Sequence, residues 1–268
     1  MALADKQQYV ASESSFYRIL KKNHMLVHRL KSKPKTQHPP RELVATAPNQ
    51  VWSWDITCLP SLIRGLHFYL YLIEDVFSRM IIGWRIEERE AATLSAELVD
   101  ECCKKHGISR NQISLHADNG GPMKGATMLS TLVRLGIEPS FSRPSVSNDN
   151  PFSESLFRTA KYCPTFPDHF ANIEASRLWM TGFEHWYTHK HLHSQISYVT
   201  PFSRHYGLDS AILMGRKEVY ELAKSKHPHR WSSGIRNWDR INKVVLNPGK
   251  EKKKQPLGAP ICLQTQIL

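Results

Sequence analysis

Apolar and polar positions follow several different periods along the chain, and each period predicts an element. Residues 12–30 (SESSFYRILKKNHMLVHRL) read as a helix. Phe16, Ile19, Leu20, Val27 and Leu30 make its apolar face, and Ser12 to Ser15 supply N-cap candidates. Pro34, Pro39, Pro40 and Pro48, mixed with basic residues between 31 and 50, predict a linker, placed over 31–47. Val51 to Thr57 (VWSWDIT) then alternates strictly: Trp52, Trp54 and Ile56 face one way, Ser53, Asp55 and Thr57 the other. This is a strand. Leu66 to Val76 is too apolar and aromatic to be exposed on both faces, and Met80 to Ile86 predicts a third strand. The short connections predict an antiparallel meander.

The period lengthens after residue 90. Leu94, Leu98 and Cys102 predict a helix over about Ala91 to Lys105, with Gly107 as its stop. Ile113 to Ala117 reads as a short buried strand, Met123 to Leu135 as a helix ended by Gly136, and Ile137 to Phe141 as a fifth strand. Pro151 to Tyr162 is a helix with Pro151 in its first position and Asn150 or Ser147 as cap. Ile173 to about Lys190 is a further helix, and beyond Gly207 the pattern blurs. The order predicts an α/β domain over one mixed five-stranded sheet.

Composition narrows this picture. With 268 residues, 41% hydrophobic and 22% charged, the chain is globular in type and long enough for a substantial core. No apolar run approaches the roughly 20 residues that span a bilayer. The start lacks the apolar centre of a signal peptide, so no membrane role and a cytoplasmic location are expected. Five cysteines without a CxxC pair exclude a disulfide framework and a four-cysteine zinc site. The net charge of +12 is unevenly spread. Residues 1–50 hold 9 Lys/Arg against 3 Asp/Glu, residues 51–200 hold 14 against 16, and residues 201–268 hold 13 against 5. Two basic flanks around a slightly acidic centre suggest a polyanionic partner. For Lys250 to Lys254 a solvated tail is the simpler reading.

Three carboxylates carry candidate chemistry. Asp55 lies on the polar face of its strand. Asp118 ends a buried strand in His116-Ala117-Asp118-Asn119-Gly120, where Asp-Asn-Gly is also an ordinary turn. Glu154 sits in the first turn of its helix, on one face with Arg158 and Lys161, which could equally be a surface ion-pair stripe. Magnesium prefers oxygen ligands and takes one or two carboxylates per ion. Two such ions can clamp an in-line phosphoryl displacement, and three carboxylates suffice to hold them. Asp75 is expected to fix the Phe77-Ser78-Arg79 turn instead, and Asp149 to help cap the helix at Asn150. The histidines at 189, 191 and 193 read as a polar helix end rather than a zinc site. Trp231 and Trp238, with Arg230, Arg236 and Arg240, fit either base stacking or a small packed subdomain.

These motifs resemble the second-frame product of bacterial insertion-sequence transposases of the large two-frame family, which carry the DDE integrase catalytic core also found in retroviral integrases. The resemblance rests on Trp52 to Thr57, Asp75 to Arg79, Leu115 to Gly120, Ser142 to Glu154, Trp186-Tyr187, and His193-Ser194 leading to Thr200-Pro201. Thirty-five residues separate Asp118 from Glu154, the family's own spacing. Ala117 stands where members often have Ser, and Thr188 where they have Asn; neither is a carboxylate.

The resemblance implies a ribonuclease-H-like fold over residues 48–207, a basic C-terminal extension over 208–268, and Asp55, Asp118 and Glu154 as catalytic metal ligands. It implies two Mg²⁺ ions, replaceable by Mn²⁺, and strand transfer by a DNA 3′-hydroxyl. Lys161, Arg158, Arg143 and Asn119 are the expected DNA contacts. Expected partners are transposon-end and target DNA, further copies of the chain, and a first-frame product. Residues 1–30 resemble the last part of a helix-turn-helix, with too little chain before them for a complete one. The competing expectation is a DNA-binding regulator that keeps the fold without transposing.

Overall fold

The structure is a computed structural model that describes residues 11–25, 41–143 and 149–248. Two units, Met1–His38 and Pro39–Leu268, separate along the chain. The first holds α1 (Glu13–Lys22), capped by the Ser12 side chain, which accepts from the Ser15 amide. This helix is shorter than its periodicity predicts. Asn23 donates through its side chain to the Ile19 carbonyl, and His24 adopts φ +55°, so the helical path ends there. Residues 26–30 lie outside the described residues. None of α1 is buried, so no packing extends the helix beyond what local capping supports.

The second unit is built around β2 (Val51–Pro60), with strict alternation over its first residues. It is flanked by β3 (His67–Asp75) and β4 (Ile81–Glu87) on one side, and by β5 (Ser114–Ala117) and β6 (Glu138–Phe141) on the other. The strand order is β4-β3-β2-β5-β6. The first three strands form the expected antiparallel meander, and β5 and β6 add in parallel, giving the mixed five-stranded sheet.

Both faces are covered. Trp52, Trp54, Tyr71 and Ile73 pack in one core with α2 (Ala92–Lys105) and α4 (Ala126–Leu135). Leu59, Leu70 and Leu72 pack in another with α5 (Pro151–Lys161) and α6 (Ile173–His189). The helix expected over 123–135 is two helices, α3 (Gly121–Lys124) and α4, broken at Gly125. Gly125 passes against Ala92 so closely that a Cβ there would run into the Ala92 side chain. Gly136 ends α4 at φ +67°, with its N–H on the Leu132 and Val133 carbonyls, as the sequence predicts.

The flanks differ more from expectation. Within the stretch read as linker, Leu43–Ala45 is a strand, β1, which pairs antiparallel with β7 (Val244–Leu246) from the far end of the chain. Where the periodicity blurs after Gly207, the chain forms α8 (Asp209–Lys226), preceded by the short α7 (Pro201–His205). Only Asp209 and Leu213 of α8 are buried, so its apolar signal is diluted by an exposed face. Residues 249–268, including Lys250 to Lys254, lie outside the described residues. Among the described residues no helix is long and apolar enough to cross a membrane.

Candidate active site

Asp55 lies on the central strand, not on an edge, and its face of β2 is covered by α5. Four hydrogen bonds fasten that helix and its N-cap to the strand. The Ser53 hydroxyl donates to Asn150 Oδ1 at 2.5 Å and pairs with the Ser153 hydroxyl at 2.7 Å. Asn150 Nδ2 donates to the Trp54 carbonyl at 3.3 Å. Two turns on, Lys161 Nζ donates to Thr57 Oγ1 at 2.7 Å. Because Ser53 and Thr57 flank Asp55 on one face of the strand, the helix runs alongside it and Glu154 follows directly on the Ser153 contact.

The parallel register supplies the third group. Trp54 stands opposite Ala117, so Asp55 and Asp118, the next residue of each strand, emerge beside one another. Asp118 Oδ1 accepts from the Gly120 amide at 2.8 Å, so this residue shapes its turn and faces Asp55 as well.

Electrostatics ties the three together. The Asp55 carboxyl is raised from 3.8 to about 7, chiefly by burial; the Ile56 amide opposes this, and Asp118, Glu154 and Glu90 add to the rise. No ion pair among the described residues involves Asp55, Asp118 or Glu154, so the surface-stripe alternative for Glu154, Arg158 and Lys161 is not realised as salt bridges. The three carboxylates are neighbours without being a closed shell: among the described residues no group of three His, Cys, Asp or Glu is drawn close enough to hold a metal ion as it stands.

Several residues have other partners than the sequence suggests. Asp149 does not cap α5, whose N-cap residue, Asn150, makes no capping bond to the helix and spends its side chain on β2 instead. Its carboxylate instead takes the Arg143 amide, Nε and Nη2, each at 2.9 Å. Arg143, expected on DNA, is therefore held by Asp149. Asn119 donates to the Ser142 carbonyl, and Arg158 is exposed. Ser147 lies outside the described residues. Asp75 does fix its turn, accepting from the Ser78 amide and hydroxyl at 2.7 Å and from the Asn49 amide at 2.7 Å. His193 accepts from the Gln195 amide, and burial lowers it to about 4, as suits a capping residue. Trp238 is 8% exposed in a small core with Ile196, Val199 and Leu213, so it packs rather than stacks bases.

Ser53, Asn150 and Ser153 are site residues whose joint role the sequence did not show, although Ser53 shares the face of Asp55 two positions away. Glu90 was also missed. The Tyr71 hydroxyl donates to the Arg89 carbonyl and accepts from the Ala91 amide, both at 2.8 Å, and so fixes the chain on each side of it.

Two models, both described as integrase core domain, match residues 45–147 and 135–201, together more than half of the chain. The chain belongs to the integrase core domain family. Among similar proteins is the transposase for insertion sequence element IS904 of Lactococcus lactis, 34% identical over 158 residues, 59% of this chain and 61% of that protein. The transposase InsF for insertion sequence IS3A of Escherichia coli is 31% identical over 137 residues, 51% of this chain and 46% of that protein. The chain thus spans about half to three fifths of these relatives. A chain in the structure of a simian T-cell lymphotropic virus intasome superimposes with a TM-score of 0.50 at 15% identity, covering 73% of this chain and 67% of that one. That likeness concerns the fold: the mixed sheet with helices on both faces is the ribonuclease-H-like architecture of integrase cores. All three carboxylates fall inside the integrase core match.

Proposed function

We propose that this integrase core catalyses metal-dependent DNA cleavage and strand transfer as an insertion-sequence transposase, with Asp55, Asp118 and Glu154 as its catalytic carboxylates. The observation that carries the reading is their convergence: residues 99 positions apart in sequence share one electrostatic neighbourhood, and no cation pairs with them among the described residues. Unneutralised carboxylates repel one another, and such an arrangement is retained where a cation is to be bound. The donors are all hard oxygens, which fits Mg²⁺ or Mn²⁺ and not a soft metal. Waters and substrate phosphate would complete the coordination, consistent with the lack of a closed protein shell.

Asp55, Asp118 and Glu154 would hold the divalent ions, one or two per site. Bound there, such ions activate the attacking hydroxyl and stabilise charge on the phosphodiester. The chain's own residues orient the parts. Ser53, Asn150 and Ser153 set the Glu154 helix against the Asp55 strand, and the Gly120 amide holds Asp118. Near neutral pH Asp55 keeps its proton for part of the time and releases it to accept a cation. Lys161, braced by Thr57, and the exposed Arg158 lie on the same helix and would meet DNA phosphates, with Arg143 and Asn119 at the neighbouring turn. DNA, further copies of the chain and a first-frame product are the partners this reading expects.

A regulator that occupies DNA without transposing is the second reading, favoured by the absence of a ready three-ligand group among the described residues. A strand-transfer assay with the purified chain, candidate terminal duplexes and Mg²⁺ separates the two. Joined products that vanish in chelator support the first reading; tight binding with no product in Mg²⁺ or Mn²⁺ supports the second.

A further inference from the structure

The chain beyond the integrase core match returns to the base of the Glu154 helix. Arg204, 1% exposed, begins the return. Its Nε donates to the Phe77 carbonyl at 2.8 Å and its Nη2 to the Ile241 carbonyl at 2.6 Å, while Asp209 holds both Arg204 and Arg240. These contacts pin residues 240–241 against the turn that follows β3. The chain then enters β7, whose Val244 and Leu246 are buried with Val51, Val76, Phe77 and Phe152. Phe152 is the second residue of α5, and the Arg79 guanidinium lies 3.9 Å over its ring.

Directly after β7, Asn247 adopts φ +54°, a conformation that Asn and Gly tolerate better than other residues. Its Nδ2 donates to the Asp149 carbonyl at 2.9 Å. That carbonyl also accepts from His116 Nε2 at 2.9 Å, and His116 lies two residues before Asp118. Both acceptor sites of the carbonyl are thereby filled, one from the Asp118 strand and one from the far end of the chain. Asp149 leads into Asn150, which grips β2 at Ser53 and Trp54, immediately before Asp55. One peptide group thus joins the supports of all three carboxylates, and a residue nearly a hundred positions later closes the junction.

We propose that Asn247, at the end of the strap Arg240–Asn247, is a positioning residue that fixes the start of the Glu154 helix relative to Asp55 and Asp118 through the Asp149 carbonyl. This rests on the reading of the three carboxylates as a metal-holding site. Among the described residues no side-chain partner sets the place of Glu154, so the helix start sets it. A ligand carboxylate displaced by a fraction of an ångström loses coordination before the fold is lost.

The test uses the full chain with three variants. Asn247→Gly removes the donor and suits the positive φ. Asn247→Asp keeps the shape and sets an acceptor against the carbonyl. Leu246→Val loosens the same strap without touching Asp149 and controls for general stability. Mn²⁺ binding is measured by calorimetry without DNA, beside the thermal midpoint and strand transfer against Mg²⁺ concentration. The expected result is a rise of about tenfold in half-saturating Mn²⁺ for both Asn247 variants, matched in the Mg²⁺ dependence of transfer. Leu246→Val should lower the midpoint and leave the Mn²⁺ curve in place. Asn247 variants with wild-type Mn²⁺ binding overturn the proposal, and so does a Leu246→Val shift as large as theirs. A wild-type chain that binds no Mn²⁺ and transfers no strand overturns the carboxylate reading itself, and the strap proposal with it.

Discussion

Asp55 is asked to be both half-buried and ionised. Its carboxyl is raised from 3.8 to about 7 by burial, with Asp118 and Glu154 adding to the rise. A carboxyl raised in the folded state binds its proton more tightly than in the unfolded chain. The stabilising effect is therefore complete below the unfolded value and is lost as pH climbs toward about 7. Added Mg²⁺ or Mn²⁺ reverses this by binding the ionised form. The thermal midpoint should rise on metal addition more at about pH 8 than at about pH 5, where protons compete with the ion. An equal rise at both would contradict ligation by Asp55. Lys161→Ala removes a phosphate-binding cation and no metal ligand, so DNA binding should weaken about three- to tenfold while Mn²⁺ affinity stays unchanged, as read by fluorescence anisotropy and calorimetry. The three carboxylates were legible at this scale because alternation in VWSWDIT, the strand end at Asp118 and the helix start at Pro151 each expose one. The supports were not. Ser53 meets Asn150 and Ser153 across 97 and 100 positions, and no local pattern encodes that pairing.

Elements with strong internal signals fell where the sequence put them, and those shaped by a neighbour did not. The meander, the β5 and β6 strands and the Gly136 stop are local in origin. The break at Gly125 is set by the approach of Ala92, and β1 exists because β7 pairs with it. Three residues of β1 cannot announce themselves. Glu74, beside Ser53 in the β2–β3 register, is an element-scale oddity. It is fully buried, one of its oxygens has no hydrogen-bond partner among the described residues, and burial raises it from 4.5 to about 8, against the favourable pull of Arg79. The folded chain thus loses stability as pH rises from the unfolded value toward about 8. Glu74→Gln keeps the neutral shape and should flatten the fall in thermal midpoint over that window, a gain on the order of 1–3 kcal/mol at its upper end. An unchanged pH profile would show that Glu74 is solvated or paired in solution.

The whole molecule is less modular than its charge distribution suggests. The net charge separates flanks from centre, but the described part of the C-terminal flank packs on the core through Arg204, Asp209 and β7. Asp209→Ala leaves two arginines without their shared partner, one of them fully buried, and should destabilise the chain by about 3 kcal/mol in denaturant unfolding. A loss within about 0.5 kcal/mol would mean the junction is solvated. For the same reason the basic tail is best tested by removing residues 249–268, whose four lysines against one glutamate are the charge to examine. For every DNA phosphate that the shortened chain no longer neutralises, the log–log salt dependence of duplex binding should flatten by about 0.9. An unchanged slope would leave DNA binding to the core face.

The central claim is that three carboxylates act as one metal-dependent site, and Asp118→Asn tests it most directly. Asn keeps the size of Asp and its preference for the turn at Asn119-Gly120, and it loses the anionic oxygen that a hard cation needs. Strand transfer in Mg²⁺ is measured beside DNA binding in Ca²⁺ and the thermal midpoint. Transfer should fall by about 100-fold or more, with binding within about twofold of wild type and the midpoint retained. Transfer close to wild type would reduce Asp118 to a turn residue, and loss of transfer together with unfolding would place its role in the fold rather than in catalysis.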